Sequence, residues 1–298
     1  MSSIFIFPGQ GSQTVGMGKD LYDKFPAARA VFEEVDDALH QKLSTVIFNG
    51  PMEELTLTAN VQPAIMAVSI AMLRVWETNR QPFADYRPPF VAGHSLGEYT
   101  ALCAAGALSL ADTARLLRTR GDAMQDAVPV GRGMVSVILG LDIDTVREIC
   151  MAADCDVAND NAPGQVVISG LREPVEKAMG LAKERGAKRA MPLPLSAPVH
   201  CRLQAAAADK IRDALDRIEM RAPTVPLISN KTCAAMSDVN EIKDALVYQI
   251  THGVRWRETI LTLPSLGIAE TIEIGPGTIL TGLTPRIAPT LDAKKLEI

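Results

Sequence analysis

Histidine is scarce in this chain, with only His40, His94, His200 and His252 among 298 residues. Any general base drawn from imidazole therefore has four candidates. Cysteine is sparse and odd in number: Cys103, Cys150, Cys155, Cys201 and Cys233, with no C-x-x-C pair. That argues against a disulfide framework or a zinc site and fits a reducing cytoplasm. An excess of positive charge is also missing. The net charge is -5, so general affinity for nucleic acid is not expected. No apolar run approaches the roughly 18 residues a membrane span needs. Met1–Pro8 lacks the basic region and long apolar core of a signal peptide. The expectation is a cytoplasmic protein with no membrane attachment and no metal. Internal repeats and low-complexity segments are absent as well.

What remains is an ordinary globular composition, 47% hydrophobic and 22% charged, long enough for one large domain or two smaller ones. Within it, Phe90-Val91-Ala92-Gly93-His94-Ser95-Leu96-Gly97-Glu98-Tyr99 stands out. A short apolar strand runs into G-x-S-x-G and then into an alanine-rich helical run from Tyr99 to Leu110. The pattern is that of a nucleophile elbow. Glycines on both sides of Ser95 let the chain turn sharply and lift the hydroxyl clear of the sheet. The Leu96 N–H, at the start of the helix, is free to face a developing oxyanion. The motif alone is weak, since chance supplies it in roughly one chain in ten of this length. The strand–turn–helix setting strengthens it.

A second glycine-rich loop, Pro8-Gly9-Gln10-Gly11-Ser12-Gln13, follows the apolar Ile4-Phe5-Ile6-Phe7. Its spacing does not fit a dinucleotide loop, and no G-K-[ST] occurs. Two uses stay open for it: backbone donors near the serine, or a tight turn.

Helical patterns are expected near 18–40, 60–80 and 110–127. From Gly133 the texture changes. Met134–Leu139 reads as a strand, Asp142–Ala153 as a helix, and Cys155–Ala158 and Gln165–Ser169 as strands joined by the turn residues 159–164. Glu173–Arg185 reads as a helix stopped by Gly186, and Lys188–Leu195 as an edge strand interrupted by prolines. The order β-α-β-β-α-β predicts a ferredoxin-like small domain, 127–196, inserted into a larger α/β domain formed by 1–126 and 197–298. In the large domain, Arg202–Ile218 and Asn240–Gln249 read as helices, Pro226–Ser229 as a strand and Thr271–Ile274 as the last strand. Alternating strands and helices there argue for a central, mostly parallel sheet.

A serine hydroxyl is a poor nucleophile until a base takes its proton. His94 adjoins Ser95 and should point elsewhere. His40 sits in a polar helical stretch. That leaves His200, at the return from the small domain where clefts form, and His252, which the Ser…His order of hydrolases would favour. Cys201, next to His200, is read as packing. The residues favour His200 without excluding His252.

On a helical wheel, Leu116, Leu117, Met124 and Ala127 define one apolar face of 112–128, and Arg120 falls in its middle. A guanidinium there needs an anion or a ring of acceptors. It either clamps a substrate carboxylate bidentately or pairs with one of the chain's own acids.

Taken together, Phe7–Gln13, Gly93–Tyr99, Arg120-Gly121-Asp122-Ala123-Met124-Gln125, Asn161–Gly170, Glu273-Ile274-Gly275-Pro276-Gly277 and Thr281-Gly282-Leu283 resemble the malonyl-CoA:acyl carrier protein transacylases, in order and over nearly the whole chain. The resemblance implies a hydrolase-like large domain carrying the inserted small one. It implies that Ser95 is the nucleophile, His200 its base, and Arg120 the binder of the malonyl carboxylate. It implies an oxyanion hole made by the Gln10 and Leu96 amides, a backbone carbonyl near Arg255 orienting the histidine, and Val199 lining the acyl pocket. Many relatives carry Phe or Ser at the Val199 position. Malonyl-CoA and acyl carrier protein are the implied partners, and no cofactor is expected; the oligomeric state stays open, with a monomer as the default. An acidic carrier protein would find a basic patch in Lys183, Arg185, Lys188, Arg189 and Arg202. Three other readings stay open: a serine esterase or thioesterase using His252, a non-enzymatic carrier-binding module, and the same chemistry serving a polyketide synthase or a malonate decarboxylase.

Overall fold

The computed structural model describes residues 2–79, 88–129 and 131–298. Position 80, where the 60–80 helical pattern ends, and position 130, inside the expected 127–196 unit, lie outside the described residues.

The fold is mixed α/β around a central, mostly parallel sheet. Ten strands are present among the described residues: β1 (Ser2–Phe7), β2 (Val91–Gly93), β3 (Gly133–Leu139), β4 (Asp156–Ala162), β5 (Gln165–Leu171), β6 (Arg189–Pro192), β7 (Leu227–Ile228), β8 (Ala235–Met236), β9 (Ile268–Glu273) and β10 (Asp292–Lys295). Six form one sheet in the order β10-β9-β1-β2-β7-β8. All its pairs are parallel except β7 with β8. The run Ile4-Phe5-Ile6-Phe7 is buried throughout, as a central strand covered on both faces must be. Phe7 pairs with Gly93, so the loops after β1 and β2 leave the sheet side by side. That is where open α/β sheets bind ligands.

The helix Thr58–Asn79 lies within the core. By length and composition it could cross a membrane, which corrects the reading that no segment comes close, but 89% of its apolar window is buried inside the protein. It packs against the helix Leu110–Ala127 at close range. A Cβ on Gly121 would sit 2.5 Å from the Cα of Ala59, so the glycine lets the two backbones meet. That contact sets Arg120, one residue earlier, into the interior. Ser109 caps this helix by accepting from Asp112 N–H at 3.0 Å. The run after the elbow is shorter than expected: the helix is Gly97–Ala104, not 99–110.

The other sheet is antiparallel, in the order β4-β5-β3-β6. Helices Ile143–Ala153 and Arg172–Glu184 bury Val146, Ile149, Val175 and Ala178 in the core they share with it. Two expectations need correction. Asn159-Asp160-Asn161 is not a turn but the second half of β4, with two register shifts. Those polar residues are held extended by partners elsewhere. Asp160 N–H donates to the Val254 carbonyl and Val254 N–H to the Ala158 carbonyl, both at 2.9 Å. The Asp160 carboxylate pairs with Arg257 at 2.8 Å. Nor is β9 the last strand: β10, with the sequence Asp-Ala-Lys-Lys, adds beside it. Its low β propensity hid it, while its charges suit an exposed edge.

Candidate active site

The turn between β2 and the helix Gly97–Ala104 has no room for side chains on its glycines. A Cβ on Gly93 would fall 1.9 Å from the Gly97 carbonyl carbon, and one on Gly97 would fall 2.3 Å from the Phe7 oxygen. Between them, Ser95 adopts φ 55°, a left-handed backbone that costs a non-glycine residue roughly 1–2 kcal/mol. Asn230 braces it. Its Oδ1 accepts from Ser95 N–H at 3.0 Å, and its Nδ2 donates to the Gly93 carbonyl at 2.9 Å.

Ser95 Oγ lies 2.7 Å from His200 Nε2. On the far side of the ring, Nδ1 is 2.6 Å from the Gln249 carbonyl oxygen. A carbonyl only accepts, so Nδ1 carries the hydrogen and Nε2 offers its lone pair to the hydroxyl. His200 also has a positive φ, 52°, and is 2% exposed. Burial, and then the nearby Arg120 charge, lower its pKa to about 3, so the ring is a neutral acceptor at neutral pH. The carbonyl orienting it therefore belongs to Gln249 and not to Arg255. The Arg255 carbonyl accepts instead from Thr259, at 2.9 Å from its N–H and 3.0 Å from its hydroxyl. The Arg255 side chain bonds Glu258 and the Lys231 carbonyl. His252 is exposed, and its ring stacks on Tyr248 at 3.7 Å. It does not reach the serine.

Arg120 is 2% exposed. Its Nη1 donates to Gln62 Oε1 at 2.6 Å, and its Nη2 donates to Ser95 Oγ at 3.1 Å and to Gln249 Oε1 at 3.0 Å. Its Nε has no partner among the described residues. None of the ion pairs among the described residues includes it. A buried guanidinium facing only neutral oxygens, one of them the serine hydroxyl, is set to receive an anion.

These groups open on a cavity of about 450 Å³ whose walls include Gln10, His94, Ser95, Arg120, Val199 and His200. β4 supplies Asn159 and Asn161 to the wall. His94 turns away from Ser95 and donates from Nε2 to Asn161 Oδ1 at 2.8 Å. Neither the Gln10 nor the Leu96 amide finds an acceptor among the described residues. Leu96 is the N-cap of its helix, where N–H groups lack internal partners. Val199 is buried, with its N–H on Ser169 Oγ at 2.9 Å. No group of three or more metal-ligating side chains occurs among the described residues. Away from the cavity, Arg185 pairs with Glu148, and Arg202 with Asp154 and Asp156. Lys183, Lys188 and Arg189 are exposed.

Sequence reasoning missed Gln62, Glu98, Asn230 and Gln249. A signal existed for one of them. On the helix Val239–Thr251, Gln249 shares the buried stripe of Ile242, Ala245 and Leu246, the same anomaly that singles out Arg120.

A family model described as the acyl transferase domain matches residues 4–289. The malonyl CoA-acyl carrier protein transacylase of Bacillus subtilis (strain 168) is 46% identical over 293 residues, covering 96% of this chain and 91% of the relative. That of Escherichia coli (strain K12) is 44% identical over 297 residues, covering 98% and 95%. Among solved structures, the acyl-carrier-protein-S-malonyltransferase from Bartonella henselae superposes with a TM-score of 0.96 at 52% identity, covering 100% of this chain and 96% of that one. A malonyl-transacylase solved with its type II polyketide synthase acyl-carrier protein, in the holo form, gives 0.95 at 42% identity, covering 99% and 96%.

Proposed function

The chain belongs to the acyl transferase domain family, and from that premise we propose that it moves a malonyl group from coenzyme A to the phosphopantetheine thiol of acyl carrier protein, in fatty acid synthesis. The observation that carries the reading is Arg120: a buried cation without a carboxylate partner, 3.1 Å from the serine hydroxyl. A malonyl thioester carries a free carboxylate one methylene from its reacting carbonyl, and a guanidinium in contact with the attacking hydroxyl is placed to meet it.

Each half-reaction uses the same groups. Ser95 Oγ bonds to the thioester carbonyl carbon while His200 Nε2 takes its proton. The oxyanion faces the Gln10 and Leu96 amides, each contributing about 3 kcal/mol in comparable sites. The C–S bond then breaks, the proton passes from His200 to the departing thiolate, and a malonyl-serine ester remains. In the second half His200 takes the proton of the carrier thiol. The sulfur attacks the ester carbonyl, the C–O bond breaks, and Oγ recovers a proton. Coenzyme A enters as the malonyl thioester and leaves as the free thiol, so it is part of the substrate, and the scheme needs no cofactor. Val199 forms part of the wall against which the acyl group lies. Lys183, Lys188 and Arg189 are the cations we assign to carrier docking, because Arg185 and Arg202 are already paired.

We read the four-stranded unit as a ferredoxin-like domain spanning 127–196, inserted into a hydrolase-like domain. Its strand order and its helix pair support this. Five free cysteines support a cytoplasmic setting. The reading that used His252 loses its base, since that ring stacks on Tyr248 at the surface.

The test is transfer itself. With malonyl-CoA and holo acyl carrier protein, the expected product is malonyl-carrier protein with ping-pong kinetics. Release of free malonate without transfer would make the protein a thioesterase instead. The pH profile adds a second check. An ordinary histidine loses its base form below about pH 6.5. His200 is depressed to about 3, so it stays neutral, and active, as pH falls through that range. The acid limb of kcat/KM for malonyl transfer is expected well below pH 6. A limb centred near 6.5 would mean that the imidazole is solvated in solution.

A further inference from the structure

Glu98 is fully buried, three residues after Ser95, in the first turn of Gly97–Ala104. It does not line the cavity and forms no ion pair among the described residues. A buried carboxylate outside any ion pair is costly: burial raises its pKa to about 8, while the Asn230 and Gln249 donors and the nearby Arg120 charge pull it back down. It survives on donors. Glu98 Oε1 accepts from Asn230 N–H at 2.7 Å, and Oε2 accepts from Gln249 Nε2 at 2.5 Å.

Three contacts set the direction of the Gln249 amide, and Glu98 makes one of them. Its Oε1 faces Arg120, which can only donate, and its Nε2 lies 3.1 Å from the Ser95 carbonyl, which can only accept. Glu98 therefore takes a hydrogen from the same amide whose oxygen holds the guanidinium. Through Asn230 it also reaches the residue that accepts from Ser95 N–H.

Resting on the malonyl-transfer reading, we propose that Glu98 is a positioning residue: it holds the Gln249 amide in the one orientation that aims Arg120 at the substrate carboxylate, and so sets the preference for malonyl over neutral acyl groups. In Glu98→Gln the new side chain carries one oxygen and one NH₂. If its oxygen keeps Asn230 N–H, its NH₂ faces the NH₂ of Gln249. Two donors oppose, the Gln249 amide is pushed off this orientation, and its oxygen loses its place in front of Arg120.

The experiment compares malonyl loading from malonyl-CoA with acetyl loading from acetyl-CoA, read by intact-protein mass. It uses the wild type, Glu98→Gln, Gln249→Leu and the double variant, each checked for folding by thermal melting. Glu98→Gln is expected to lower the malonyl-to-acetyl rate ratio at least tenfold, and Gln249→Leu to lower it similarly. The double variant should lose no more than the worse single one, because both act through one amide. General damage to the fold or to His200 would slow both acyl groups alike. An unchanged ratio in Glu98→Gln, or losses that multiply in the double variant, would overturn the proposal while leaving the malonyl reading in place. Should Glu98→Gln not fold, Glu98→Asp replaces it. The shorter carboxylate still accepts and so keeps the amide from turning: an intermediate fall in the ratio supports the relay, and an unchanged ratio overturns it. A wild type that takes up no malonyl group would overturn the functional reading and the relay with it.

Discussion

Ser95→Ala, incubated with malonyl-CoA, gains no mass, while the wild type gains one malonyl group per chain. The expectation follows from the elbow. Among the described residues no other hydroxyl stands at hydrogen-bond distance from His200 Nε2, whose partner is Ser95 Oγ at 2.7 Å. Alanine tolerates this backbone about as well as serine does, so the turn itself survives. Asn230 still accepts from the N–H at position 95 and still donates to the Gly93 carbonyl. The variant should fold, bind and fail at chemistry. Removing a nucleophile from a serine–histidine pair costs a factor on the order of 10⁶ in kcat. The residual rate would come from the Gln10 and Leu96 amides acting on direct thiol attack. A malonylated Ser95→Ala protein would place the covalent step on another residue and end the proposed mechanism.

The second large effect is Arg120→Ala. Without the guanidinium, a malonyl carboxylate entering this cavity is buried with no cation. Breaking a buried charge pair by removing one partner costs about 3–5 kcal/mol, so malonyl loading should slow by roughly 10²- to 5 × 10³-fold. Acetyl carries no such charge and should slow far less. The two losses should not be wholly independent. Arg120 also touches Ser95 Oγ and helps hold the His200 pKa down, so its removal raises that pKa and gives the acid limb a less acidic midpoint. Measured side by side, the malonyl-to-acetyl ratio is the diagnostic. Equal slowing of both acyl groups would refute the clamp.

Much of this arrangement could be read from the residues, because it rests on local exceptions to local rules. Gly93 and Gly97 announce a sharp turn. Arg120 violates the apolar face of its own helix. The alternation of strands and helices marks the sheet. What could not be read is what depends on distant partners. Asn159-Asp160-Asn161 has the composition of a turn, and pairing with β5 together with contacts to Val254, Arg257 and His94, all three far away in sequence, holds it as a strand. The carbonyl behind His200 is a backbone atom, and nothing in residue identity separates the Gln249 carbonyl from that of Arg255. The strand Asp292–Lys295 has a loop's composition, and pairing with β9 alone makes it a strand. In the sequence Glu98 is indistinguishable from any acid near a helix start, where a carboxylate ordinarily eases the dipole. Its burial is visible only once Asn230 and Gln249 are in place.

Both reacting side chains sit on left-handed backbone, Ser95 at φ 55° and His200 at φ 52°. That constrains which chemistries this scaffold could ever explore. Threonine would offer the same hydroxyl, yet a β-branched residue at such a φ is a genuine outlier. The shift from a primary to a secondary alcohol nucleophile is thus closed by main-chain geometry, not by reactivity. Cysteine, unbranched at Cβ, keeps that door open, so drift toward a thioester-linked intermediate is the easier evolutionary path.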